Sequence, residues 1–452
     1  MSTDDTLDPQ SAPRIIPRPE HTISRAAISP NAVKVLYRLH NAGYSAYLVG
    51  GGVRDLLLGR EPKDFDVATD AHPDDVRGLF RNCRLVGRRF RLAHVQFGRE
   101  IIEVATFRAM AAPPTGEEED EEESGDFHLD EDGRILRDNV YGTLEEDAWR
   151  RDFTVNALYY NIGDFSVVDY TGGMADLREG VLRLIGDPET RYREDPVRML
   201  RAVRFASKLG FRLSPETEAP LFELGGLLAD IPPARLFEEV LKLFFSGTAL
   251  QSFELLRHYG LFGYLFGQTE ESLAYEENHF PLTLVSHALA STDERVRNGK
   301  PVTPAFLFGA LLWDSVFQAA EELGAAGCDE INALQQAADR VIDAQIRQVS
   351  IPKRISLPMR EIWQMQPRLA RIGGKRPLRL VTHPRFRAAY DFLLLRAAAY
   401  PALEELSRWW TRFVEAEESE RGTLITPAGP GDGRKRRRRR PRKRRPEQPA
   451  TP

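Results

Sequence analysis

The chain reads as α+β: a mixed sheet with covering helices, then an all-helical part, then a basic tail. Three observations predict this. Strand-like apolar segments fall almost entirely before residue 165, several alternating with period two. From there to about residue 415, apolar residues recur at helical spacing behind capping signals. From residue 417 onward Gly, Pro and Arg dominate, a composition that builds no core. The expected divisions are a mobile arm at 1–25, a sheet-containing head at 26–165, a helical neck at 166–250, a helical body and leg at 251–416, and a disordered tail at 417–452.

Taken in order, four prolines at 9, 13, 17 and 19 mark the arm. Ser29-Pro30 is a cap followed by proline at the first helical position, and Val33, Leu36, Tyr37 and Leu39 give the helix its apolar face. A strand runs from Tyr44 to Val49 into Gly50, Gly51 and Gly52, and a short helix carrying Arg54 follows. Lys63-Asp64-Phe65-Asp66-Val67 then places two carboxylates two residues apart, on one face if the segment is extended. Thr69 to Pro73 is a turn and cap, 74–80 a helix, and 84–86, 92–97 and 101–106 are strands. Glu103 lies in the last of these, where it can face the Asp pair.

Residues 109–139 read as a long polar loop, with seven consecutive acids at 117–123; self-repulsion is expected to keep it extended. Order resumes at Leu144, with Arg150, Arg151, Asp152 and Asn156 crowded before a strand at Tyr159. Asp195-Pro196 starts a helix whose basic side holds Arg198, Arg201 and Arg204; Asp195 and Arg198 are spaced to meet at its end. Later helices are expected at 234–245, 305–316, 331–349 and 386–399.

Composition excludes several classes. Two cysteines, Cys83 and Cys328, are far apart in sequence, so there is neither a disulfide framework nor a cysteine zinc site. The N-terminal stretch has no signal core, and the apolar run from Ala305 to Trp313 is too short to span a bilayer. A cytoplasmic monomer is expected. The net charge of −5 averages two extremes, because eleven basic residues stand between 434 and 445. That density suits a phosphate backbone.

The motifs narrow the chemistry. After Gly50 and Gly52, Asp55 stands where the dinucleotide fingerprint needs glycine. The chain contains no Gly-x-x-x-x-Gly-Lys-Ser/Thr and no His-Asp pair. What remains is a glycine turn able to approach phosphate closely, followed by paired carboxylates that suit Mg²⁺ with a phosphate substrate. That is a layout for nucleotidyl transfer.

Leu48 to Asp55 with Asp64-Phe65-Asp66, Arg150 to Ala157, and Glu194-Asp195-Pro196-Val197-Arg198 together resemble the class II nucleotidyltransferases. This family has a polymerase-β-like palm followed by a helical neck, body and leg, and it includes tRNA CCA-adding enzymes and bacterial poly(A) polymerases. Residues 85–98 and the Arg-rich tail favour the poly(A) branch; the CCA-adding branch is the alternative. A noncatalytic RNA-binding scaffold would lack a carboxylate, whereas Asp64, Asp66, Glu103 and Asp152 are all present. The resemblance implies Asp64, Asp66 and Glu103 as ligands of two Mg²⁺ ions and Asp152 as a further active-site acid. It implies Gly50, Gly51 and Arg54 at the triphosphate of ATP, Arg151 and Asn156 near ribose and phosphate, and Asp195 and Arg198 at the base. The implied partners are RNA 3′ ends and RNA-decay proteins.

Overall fold

The computed structural model describes residues 12–87, 91–109, 127–129, 135–138, 140–274 and 284–425. The acidic run at 117–123 and the Arg-rich segment at 434–445 lie outside these residues, as do 88–90 of the 85–98 stretch.

An eight-stranded sheet forms the head. Its strands are β1 (Arg14–Ile16), β2 (Ala46–Val49), β3 (Asp66–Thr69), β4 (Cys83–Val86), β5 (Leu92–Phe97), β6 (Glu100–Thr106), β9 (Leu158–Asn161) and β10 (Val167–Asp169), with β7 (Phe127–Leu129) and β8 (Ile135–Asp138) forming a separate hairpin. The order is β1-β10-β9-β2-β3-β6-β5-β4. Within it β3 and β6 run parallel, and the other neighbours are antiparallel.

Alternation divides the sheet into two faces. Leu48, Val67, Val104 and Tyr160 point into the main core with Val35, Leu36 and Leu39 of helix α1 (Pro30–Asn41). Their strand neighbours Val49, Ala68 and Tyr159 form a smaller cluster on the opposite face with Phe107 and Ala148. Helix α1 begins where Ser29 Oγ accepts the Asn31 N–H at 3.2 Å, the expected cap.

Three expectations need correction. Residues 12–25 are not a mobile arm: β1 pairs with β10, and Ile16 and Ile23 are fully buried. Pro13, Pro17 and Pro19 punctuate this segment without freeing it, because its isoleucines have core to enter. The sheet therefore runs past residue 165, to Asp169. The 109–139 stretch is not wholly extended loop, since β7 and β8 pair antiparallel within it. At the other end, residues 421–424 form a helical turn held by Arg421 Nε donating to the Phe413 carbonyl at 3.1 Å.

Helix α2 (Gly51–Leu57) follows β2, α3 (Pro73–Leu79) follows β3, and α4 (Leu144–Trp149) precedes β9. Helix α5 (Gly173–Glu179) is anchored by Asp169, whose carboxylate accepts the N–H groups of Thr171, Gly173 and Met174 at 3.1, 3.0 and 2.9 Å. Two further helices, α6 (Pro188–Glu194) and α7 (Val197–Leu209), open the helical part. Beyond them, 331–349 is realised as Glu330–Gln348 and 386–399 as Phe386–Ala399. The single helix expected at 305–316 is instead two, Pro304–Leu311 and Trp313–Ala325, breaking at Leu312. One continuous buried cluster runs from Ile16 to Phe392, joining head and helices. Among the described residues no helix is long and apolar enough to cross a membrane.

A Cβ on Gly173 would overlap the carbonyl of Thr154, in the turn that supports Asn156. Gly173→Ala is expected to destabilise the head by about 1–3 kcal/mol, read as a lower urea midpoint in equilibrium unfolding.

Candidate active site

Cross-strand register builds the site. Residues directly opposite in neighbouring strands share a face. Tyr159 lies opposite Val49, Val49 opposite Asp66, Asp66 opposite Glu103, and Glu103 opposite His94. Asp66 and Glu103 are thus adjacent, as the sequence implied. His94 extends the row: its Nε2 is 3.4 Å from Glu103. Pairing of β3 begins at Asp66, so Asp64 is not a strand residue; it is exposed in the preceding turn. Gly52 permits the close approach there, since a Cβ would sit 3.3 Å from the Asp64 carbonyl oxygen. Burial, and next the negative charge of Glu103, push the Asp66 carboxyl up to about 6, with Asp64 adding to the effect and Arg151 opposing it. Among the described residues no three His, Cys, Asp or Glu side chains form a ready-made metal cluster. The hard oxygen donors of Asp64, Asp66 and Glu103 still suit a Mg²⁺ ion that takes part of its shell from substrate phosphates.

The glycine turn faces two guanidinium groups. Gly50 has φ +69°, which favours glycine. A Cβ on Gly50 would lie 3.5 Å from Arg151 Nη1, and one on Gly51 3.5 Å from Arg54 Nη2. The missing side chains therefore leave a small cradle bounded by two cations. Arg151 is held from behind by Asp147, at 2.9 Å from Nη2, and by the Tyr159 hydroxyl, to which Nε donates at 2.7 Å. Burial alone would raise the Asp147 carboxyl, but Arg151, Arg150 and Tyr159 together bring it below the usual range.

Arg54, Asn156 and Asp152 belong to one buried network. Arg54 Nε and Nη2 both donate to Asp55 Oδ1 (2.9 and 2.7 Å), and Nη1 donates to Asn156 Oδ1 (2.6 Å). Asn156 Nδ2 donates to Asp152 Oδ1 at 3.3 Å, and Asp152 Oδ2 accepts from Arg201 Nε at 2.7 Å. Burial would raise Asp152, but Arg201 and the hydrogen bonds win and lower it.

At the start of α7, Asp195 Oδ1 accepts the Val197 N–H at 3.3 Å. Asp195 and Arg198 meet only through the backbone, where the Arg198 N–H donates to the Asp195 carbonyl at 2.9 Å; their side chains pair elsewhere. Asp195 pairs with Arg235 at 2.7 Å, from the helix Pro233–Phe244. Arg198 instead donates to Glu194 Oε2 at 2.8 Å and to the Arg191 carbonyl at 2.7 Å. Glu194 lies four residues back and Arg191 seven, both in α6. Arg191 in turn donates to the carbonyls of Arg150 and Arg151 at 2.7 and 2.8 Å, tying α6 to the Arg-Arg-Asp turn. Sequence reasoning missed Asp147 and Arg235. Asp147 had a signal, helical spacing to Arg150 and Arg151; Arg235, forty residues from Asp195, had none.

Three family profiles match the chain: the "Poly A polymerase head domain" over residues 46–183, the "Probable RNA and SrmB- binding site of polymerase A" over 210–273, and the "Polymerase A arginine-rich C-terminus" over 326–444. The poly(A) polymerase I of Salmonella typhi is 53% identical over 414 residues, covering 91% of this chain and 88% of the relative. A CCA-adding enzyme of Geobacillus stearothermophilus is 39% identical over 236 residues, covering 52% of this chain and 54% of its own length. Among solved structures, the Bacillus stearothermophilus CCA-adding enzyme in complex with CTP superposes with a TM-score of 0.53 at 26% identity, covering 89% of this chain and 90% of that one. Head and site define a nucleotidyltransferase. Within that class the chain belongs to the poly(A) polymerase family.

The Asp66 shift has a sign that can be checked. A carboxyl raised from 3.8 to about 6 binds its proton more tightly folded than unfolded, so its ionised form costs stability at neutral pH. Asp66→Asn is expected to stabilise the metal-free protein at pH 7 by about 1–2 kcal/mol, discounted for partial exposure. The advantage should shrink as pH falls through 6 toward 4. Thermal melts of both proteins in chelator across that range measure it.

Proposed function

We propose that the chain transfers AMP from ATP to RNA 3′ ends without a template, releasing pyrophosphate. One observation supports transfer chemistry above the others: the Asp66–Glu103 row lies beside a glycine cradle bounded by Arg54 and Arg151. Poly(A) addition is favoured over CCA addition because likeness to the poly(A) polymerase covers 91% of the chain, against 52% for the CCA-adding relative.

On this reading Asp64, Asp66 and Glu103 would hold Mg²⁺, which when bound neutralises phosphate charge and acidifies the attacking hydroxyl. The turn at Gly50 and Gly51 admits the triphosphate, with Arg151 and the remaining N–H groups of Arg54 facing it. Asn156 and Asp152 set the ribose end through the network they share. Asp195 and Arg198 present fixed hydrogen-bonding groups to the base edge. The RNA 3′-oxygen bonds to the α-phosphorus as the bond to the pyrophosphate oxygen breaks. Positioning and charge neutralisation carry most of the rate. The basic residues at 434–445 tether RNA in a salt-dependent way.

The deciding assay supplies labelled ATP or CTP with oligo(A) or with tRNA lacking its 3′ end. Long A-tails on oligo(A) are expected; addition restricted to tRNA and ending after C-C-A would instead establish the alternative. Asp64→Ala and Asp66→Ala are each expected to abolish incorporation while leaving the circular dichroism spectrum unchanged. Arg235→Met frees Asp195 from its ion pair. It should lower kcat/KM for ATP by about tenfold and narrow the preference for ATP over CTP, measured by steady-state incorporation of each nucleotide.

A further inference from the structure

We propose that the helical part carries a second ligand site, a pocket for a small hydrophobic monocarboxylate. It lies between the helices Trp313–Ala325, Glu330–Gln348, Lys353–Leu369 and Phe386–Ala399, and is closed on one side by Leu403 and Leu406. Its volume is about 430 Å³, in the range of small-molecule sites. None of its residues takes part in the nucleotidyl-transfer site.

The wall is largely apolar, with Trp313, Phe317, Leu334 and Leu393 among its side chains, and Arg396 is the cation in it. The guanidinium is fixed in place. Its Cζ lies 4.4 Å from the centre of the Trp313 ring, and Nη1 donates to Gln366 Oε1 at 3.1 Å; both partners line the pocket. Its Nε is buried without a hydrogen-bond partner. Burial lowers Arg396 to about 10, opposed by the neighbouring Tyr400 and Asp314 side chains, so it is protonated at neutral pH. Phe317 is 42% exposed while packed on Trp313, so the pocket also leaves a large apolar ring in contact with water.

One cation in an apolar wall selects an amphipathic anion. A carboxylate pairs with the Arg396 guanidinium in the pocket wall in a charge-assisted contact, and the hydrocarbon part covers Trp313, Phe317 and Leu393. Polyanions such as nucleotides do not fit this pattern. Their further charges would be desolvated without partners, and the exposed Glu321 and Glu330 also line the pocket.

The test titrates the full chain with 3-phenylpropionate and, separately, with 3-phenylpropan-1-ol, by calorimetry and Trp fluorescence. The carboxylate is expected to bind at least about tenfold more tightly than the alcohol. Arg396→Met, which keeps the apolar volume, should erase that difference and still add AMP to oligo(A). The proposal is overturned if neither compound binds the wild type, if the two bind it equally, or if Arg396→Met retains wild-type affinity for the carboxylate. The wild-type comparison decides the matter even where the variant folds poorly.

Discussion

The structure depends on a buried polar chain that joins sheet to helix: Asp55, Arg54, Asn156, Asp152 and Arg201, linked in that order by hydrogen bonds. It wraps the Phe205 ring, with the Arg54 and Arg201 guanidinium carbons 5.3 and 5.4 Å from its centre. Arg54 is only 2% exposed. A charge so buried is tolerable only when its partners are all in place, and a half-satisfied network is worse than an apolar core. The network therefore fixes α2, the Arg-Arg-Asp turn and α7 against one another. The glycine turn begins α2 and the residues proposed to read the base begin α7, so both ends of the proposed nucleotide site inherit their positions from it.

The electrostatics divide along the same line. On the sheet side, Asp66 and Glu103 are neighbours of like sign, and Asp66 is left with its carboxyl pushed up to about 6. On the helix side, Asp152 and Asp147 are held below their usual range by arginines. Four acids of similar sequence appearance thus divide into two kinds. Among the described residues no arginine or lysine pairs with Asp66 or Glu103, which suit a metal with its phosphate substrate. The other pair already has its cations and holds them in position. Arg151 stands between the two, lowering Asp66 while bound to Asp147.

Much of the head was legible because its signals are local. The Ser29-Pro30 cap, the period-two strands and the glycine turn each act within a few residues, and the Asp66–Glu103 pairing followed from placing both on neighbouring strands. The failures were of two kinds. Pro-rich composition suggested a mobile arm where Ile16 and Ile23 had a core to enter, so tertiary burial overrode a local signal. Asp195 was given Arg198 by spacing alone, but the arginine that pairs with its carboxylate comes from a helix forty residues on. Spacing along one helix says which residues share a face; it is silent on what another element brings to that face.

That last pairing bears on how a base is chosen without a template. Discrimination between bases is strongest when a site presents hydrogen-bonding groups that a wrong ligand leaves unpaired. Such groups must not swing to accommodate the wrong edge. Asp195 is held by Arg235 and by the Val197 N–H, and Arg198 by Glu194 and the Arg191 carbonyl. Arg191 is in turn bonded to the carbonyls of Arg150 and Arg151 beside the phosphate cradle. On the proposed reading, Asp195 and Arg198 face the base with their side chains already held. Selectivity then depends on how rigidly the surrounding helices and the head hold them.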